Sequence, residues 1–230
     1  MNYNVNRSPI LEAGNGLQKY MMSVFNKMFI ALCLTGLVSL VCVSNPAILQ
    51  AMAGGFSIVL LIVTLGIVLY LSKQITQMPA ERASILFWIY SALIGLSISP
   101  IFVFYTGESI ANAFFTTAIF FGGMSLYGYV TKKDLSGMGA FMIVGLFSII
   151  IASLINLFLR SSALQLGLSA LSIVVFCGLT AYDMQKIRAF YNPAISEEDI
   201  KKRSILGALA LYLDFINIFL ALLRLMGNRK

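Results

Sequence analysis

Seven long apolar runs dominate this 230-residue chain, at about 24–43, 55–72, 83–104, 110–130, 138–160, 165–187 and 204–226. Each is close to the ~20 residues that carry a helix across ~30 Å of hydrocarbon. In lipid such a run must be helical, because only a helix satisfies its own backbone N–H and C=O groups within one segment. The composition agrees: 59% of residues are hydrophobic and 11% charged, less than half the roughly 25% charged of globular chains. A soluble domain of this size cannot cover that much apolar surface. The expected architecture is an all-α membrane protein, a seven-transmembrane-helix bundle over residues 24–227, preceded by a loose cytoplasmic tail at 1–23. The breaks fit. Asn45-Pro46 and Gly54-Gly55 punctuate the first loop, Pro79 opens the third span, and Thr106-Gly107 divides the third from the fourth.

Basic residues orient the spans, since cytoplasmic loops carry the excess of Lys and Arg. With the N-terminus inside, the inner segments hold twelve of the sixteen: Arg7, Lys19, Lys27, Lys73, Arg82, Lys132, Lys133, Lys186, Arg188, Lys201, Lys202 and Arg203. Arg160 alone falls in an outer loop, and Arg224, Arg229 and Lys230 close the chain. That basic end leaves a re-entrant last segment as the alternative to a full span. The first run carries no A-x-A cleavage site, so it reads as a retained span with Lys27 snorkelling from its inner end. Before the last span, Ser196 fits a helix N-cap, with Glu197 and Glu198 in the first turn and Lys201 to Arg203 in the last. This reads as a short surface helix.

Several functions drop out. The net charge of +7 is spread between apolar runs, not gathered in a basic stripe among aromatics, so no nucleic-acid partner is expected. Gly14 and Gly16 form a GxG with no strand before it, which is no dinucleotide fingerprint. The three cysteines, Cys33, Cys42 and Cys177, lie in apolar runs without CxxC spacing and read as small buried hydrophobes. The chain has no histidine, so the usual base, metal ligand and near-neutral switch are missing together. No cofactor and no enzymatic activity are expected.

Two acidic residues stand out against this background. Asp183 ends the sixth run in GLTAYDMQKI, and Asp214 sits near the middle of the seventh, SILGALALYLDFINIFLALLRLM. A carboxylate at bilayer depth costs roughly 2.5–3.5 kcal/mol on insertion scales. In the seventh span Gly207, Ala210, Asp214, Asn217, Ala221 and Arg224 follow helical spacing and form one small, polar face. In the sixth, Ser169, Ser172, Thr180 and Asp183 do the same, with Phe176 between them. Packing these faces together lets the two carboxylates meet, with Asp214 roughly 15 Å into its helix. Carboxylates in contact resist ionising together and titrate as a pair, a proton switch without histidine. The alternative is structural: each aspartate hydrogen-bonds helix ends or Tyr182, Tyr212 and Asn217. In the third span, Ser91, Gly95 and Ser99, followed by Pro100, read as a packing seam with a helix break. Glu108, the one charge between the third and fourth spans, reads as a solvated side chain.

SALIGLSISPIF (91–102), TKKDLS (131–136), GLTAYDMQKI (178–187) and GALALYLDFINIFLALLRLMG (207–227) resemble the Bax inhibitor-1, or transmembrane BAX inhibitor motif, family from about residue 18 onward. The resemblance implies a bacterial inner-membrane protein whose last helix is central and wrapped by the others. It implies a pH-sensitive calcium leak in which Asp183 and Asp214 form the gating pair; the residue pattern itself adds Asn217, Tyr182 and Thr180 as polar support. The resemblance also implies a cationic latch from the second helix, where Lys73 is the nearest match and Arg82 lies further along. Lysine is a poorer bidentate partner for carboxylates than arginine. The partners so implied are the lipid bilayer and calcium or protons as permeant ions. A holding site for calcium needs six to eight oxygens, so only transient binding at Asp183 and Asp214 fits. Three other readings remain: a membrane scaffold or regulator of stress responses or proteases, an intramembrane aspartyl protease, and a proton-coupled transporter. The protease reading has Tyr182-Asp183 but lacks Gly-x-Gly-Asp before Asp214. The transporter reading wants internal repeats, and none is visible.

Overall fold

A computed structural model describes residues 9–53 and 56–230. Arg7 and the Gly54-Gly55 break lie outside the described residues. Among those described, the elements are α1 (Pro9–Val43), α2 (Pro46–Ala53), α3 (Phe56–Gln74), α4 (Ala80–Ile98), α5 (Ile101–Phe104), α6 (Gly107–Val130), α7 (Ser136–Leu159), α8 (Ser162–Ala189) and α9 (Glu197–Met226). Seven segments are long and apolar enough to cross a membrane: α1, α3, α4 with α5, α6, α7, α8 and α9. The chain is an all-α, seven-span membrane protein in contact with the bilayer.

Short polar side chains set the helix starts. Thr106, Ser161 and Ser196 accept from the backbone N–H groups of Ser109, Leu164 and Asp199, relieving donors that a helix start leaves orphaned. Pro79 precedes α4, as expected of a proline at a helix start. The third span breaks at Ser99-Pro100 into α4 and α5. Arg160 ends α7 in a left-handed conformation, φ 50°.

Four expectations change, the simplest being that Cys33 is exposed while Cys42 and Cys177 are buried as expected. The loose tail at 1–23 is helical from Pro9 onward, and Tyr20 and Met21 are buried. Its anchor lies far along the chain: the Tyr191 hydroxyl sits against Gly16, and the Tyr20 and Tyr191 rings are 5.6 Å apart. The surface helix expected at Ser196 is the first turns of α9, one continuous helix of 30 residues. Its capping box is present (Asp199 N to Ser196 Oγ, 3.1 Å), but nothing ends the helix before the apolar run begins. The re-entrant alternative for the last span also falls. The N-terminal part of α9 touches the α3–α4 connection through Glu198 to Ala80 N and Lys202 to Thr76 O. Beyond its other end, Thr106 N donates to Asn228 O and Lys230 N to Phe104 O, tying the chain to the α5–α6 connection.

The expected seam of α4 packs on α1. A side chain at Gly95 would collide with the Thr35 backbone (Cβ to Thr35 O, 2.6 Å), so glycine lets the helices touch. Thr35 Oγ1 donates to Ser91 O at 2.9 Å and Ser39 Oγ to Gly95 O at 2.7 Å. Thr35 also meets the Tyr212 hydroxyl of α9 at 2.7 Å, which ties three helices together. Helix α9 packs against α1, α4, α6 and α8.

Candidate ion-pathway site

Close approach of α8 to its neighbours builds the site. At Gly128 of α6 a Cβ would run into the backbone of Ala181, and at Gly207 of α9 it would sit 3.2 Å from Ile187 side-chain carbons. Small residues thus hold α8 against both helices where the acidic pair lies, as expected of packing in lipid.

Asp214 is 3% exposed, and its Oδ2 has no hydrogen-bond partner among the described residues. Asp183 is half-buried, and the two carboxyls lie close enough to feel each other's charge. Helices α8 and α9, which carry the two polar faces, pack on each other, with the two acids on adjoining helices. The groups facing the pair are the Cys177 thiol, which senses Asp214, and the Lys186 ammonium, which senses Asp183. Lys186 also lies over the rings of Tyr182 and Phe190, at 5.7 and 5.6 Å from their centroids.

Thr180 is fully buried; its hydroxyl donates to the Phe176 carbonyl at 2.7 Å and lies near the Asp214 carboxyl. A hydroxyl has one proton to give but can accept as well. A hydroxyl so placed can donate to a charged Asp214 carboxylate. Toward a protonated Asp214 it can accept while its own proton stays directed at the Phe176 carbonyl, as it is here. Thr180 therefore suits both states of the acid.

The remaining expected residues are placed differently. Asn217 Nδ2 donates to Leu213 O of its own helix at 2.8 Å. The Tyr182 ring lies against Gly139 of α7 and the Tyr212 hydroxyl bonds Thr35, so neither supports the aspartates. Lys73 and Arg82 are exposed on α3 and α4, and neither forms an ion pair with Asp183 or Asp214. The latch expected from them does not form: Lys73 is on α3, which packs mainly on α4 and α2, and Arg82 is on an exposed face of α4 although that helix packs on α9. Lys186 is the cation that faces Asp183. Its position three residues on, on the same helix face, was a readable signal. Cys177, one turn before Thr180, carried the same signal. Gly128 carried none, since only the fold reveals what it faces.

Among the described residues no three His, Cys, Asp or Glu side chains gather as a metal cage. A cation at the pair would have two carboxylates and the Thr180 hydroxyl, short of a holding set for calcium. One turn from Asp214, Asn217 lines a cleft of about 820 Å³ between α7, α8 and α9 that reaches Arg160 and Arg224 at the opposite end from Asp183.

These features define a class: a polytopic helical membrane protein with one buried acid, Asp214, and one half-buried acid, Asp183, on two adjacent spans. A model of the family described as "Inhibitor of apoptosis-promoting Bax1" matches residues 17–230, and the chain belongs to that Bax inhibitor-1 family. It is 44% identical over 225 residues to the inner membrane protein YbhL of Escherichia coli K12, covering 96% of each chain. It is 47% identical to the protein RP147 of Rickettsia prowazekii, over 94% of this chain and 92% of that one. A protein of Borreliella burgdorferi is 42% identical, over 92% and 93%.

Proposed function

We propose that this protein is a pH-sensitive cation leak of a bacterial inner membrane, passing calcium transiently through the Asp183–Asp214 pair. The observation that carries this reading is Asp214 Oδ2, a buried acidic oxygen left without a partner among the described residues. Burying an unsatisfied polar group is costly, and a merely structural aspartate would be expected to have both oxygens bonded. An exchangeable proton or a passing cation supplies the missing partner. The mutual influence of the two acids makes their protonation a joint event, and Thr180 can serve either state. Acidification neutralises the pair and alkalinisation charges it, so flux depends on pH without histidine. The N-terminus is proposed to face the cytoplasm, which places the lysine-rich loops inside. The chain is proposed to work without a cofactor and without catalysis.

The test uses the full chain in liposomes carrying a calcium dye, with wild type beside Asp183→Asn and Asp214→Asn. Wild type should pass calcium at a rate that changes between mildly acidic and mildly alkaline buffer. Each variant should lose that dependence while remaining folded, because asparagine keeps the volume and removes the titrating group. Calcium flux and pH response unchanged in both variants would remove the proposal and favour the scaffold reading.

A further inference from the structure

The cleft between α7, α8 and α9 has an asymmetry that the aspartate pair does not explain. Its far end carries Arg160, from the α7–α8 connection, and Arg224, from the last turns of α9. Both are exposed, and neither forms an ion pair or side-chain hydrogen bond with any described residue. No Asp or Glu lines the cleft. Two unpaired guanidinium groups in one opening, with no acid to answer them, are complementary to an anion.

The walls say which anion. Helix α7 packs on α8 but not extensively on α9, so the cleft is a wedge open sideways, with α8 behind it. Only 6% of the α7 span is buried, and Leu157, Phe158 and Leu159 beside the opening are all more than half exposed, as lipid-facing residues are. The wedge is lined by Leu146, Ile149, Ile150 and Leu154 of α7 and by Leu168 and Leu220 across from them. Its polar floor residues are satisfied within their own helices: Ser169 Oγ donates to Gln165 O at 2.9 Å, Ser172 Oγ to Leu168 O at 2.7 Å, and Asn217 to Leu213 O. Such a floor accepts a hydrocarbon chain without leaving those donors unsatisfied.

We infer that this wedge holds an anionic phospholipid, its headgroup phosphate between Arg160 and Arg224 and one acyl chain along the leucine-lined wall. The planar guanidinium fork matches phosphate oxygens in pairs, and a negative lipid is drawn to basic residues at the membrane surface. Occupation stabilises the folded chain by mass action and requires nothing of the aspartates.

Thermal unfolding of the full chain in detergent, titrated with dioleoyl phosphatidylglycerol, tests this. Dioleoyl phosphatidylcholine, with the same chains, and inorganic phosphate at matched concentration are the other arms. Phosphatidylglycerol should raise the midpoint by roughly 5 °C over phosphatidylcholine, and inorganic phosphate alone should not. The extra rise should vanish in Arg160→Gln/Arg224→Gln, survive in part in Arg160→Lys/Arg224→Lys, and survive in full in Lys132→Gln/Lys133→Gln. Should the glutamine pair not fold, Ser172→Trp keeps both arginines, fills the floor and should cut the rise by more than half. Equal rises from the two lipids, or a full rise in the glutamine pair or in Ser172→Trp, would overturn the inference. A rise reproduced by inorganic phosphate would reassign the arginines to a free anion and overturn the lipid.

Discussion

Helices α7 and α9 are both apolar enough to span a membrane, yet 6% of the α7 span is buried against 72% of the α9 span. The difference is in the small and polar residues. Helix α7 spends its length on Phe, Ile and Leu that point outward, such as Phe141, Phe147 and Ile151. Helix α9 places Gly207, Ala208, Asp214 and Ala221 among its leucines, and all of these are buried. In lipid an exposed leucine costs nothing, so hydrophobicity does not sort interior from exterior. Close approach and polar satisfaction do.

The largest expected effect breaks the close approach. Gly128→Ala in α6 drives a methyl into the Ala181 backbone, so it should destabilise at the upper end of the ~1–3 kcal/mol of overpacking. Gly123→Ala, in the same helix but facing open space, should be neutral or stabilising by up to ~1 kcal/mol, because alanine is the better helix former. Thermal unfolding of the two variants in one detergent makes the comparison directly. If both behave alike, contact with α8 is not what fixes α6.

Next comes polar satisfaction. Tyr212→Phe removes the hydroxyl that meets Thr35, while Thr35 keeps Ser91 O as acceptor. The cost should be about 0.6 kcal/mol, the scale of hydrogen bonds measured between helices in lipid. A Thr35→Val/Tyr212→Phe cycle in the same unfolding assay measures the coupling, and a value near zero would mean the network only tolerates its hydroxyls. The smallest effect belongs to α7. Phe147→Leu, at a position 61% exposed, should stay within ~0.5 kcal/mol of wild type, and a larger loss would show that this face is covered by protein.

Much of this was legible in the residues. Length and apolarity set seven spans, because backbone groups in hydrocarbon allow little else. Asp183, Thr180 and Asp214 were legible as one site, because acids are rare and costly at that depth and fell on matching helix faces. The latch at Lys73 or Arg82 was not settled that way. It depended on Lys73 of α3 or Arg82 of α4 facing the pair, and which helix faces meet is chosen by packing that no single helix encodes. The start of the first helix was missed for the same reason, since Tyr20 becomes core only when Tyr191, far along the chain, closes over it.

The sequence alone therefore determined the number of spans, their break points and the two acids that need an explanation, all of which follow from the price of polarity in lipid. Tertiary structure decided which groups lie near those acids, that Asn217 bonds its own helix rather than Asp214, and that Arg160 and Arg224 share one cleft. Those outcomes rest on how backbones approach at Gly95, Gly128 and Gly207, where the missing side chain matters only once a neighbouring helix is present.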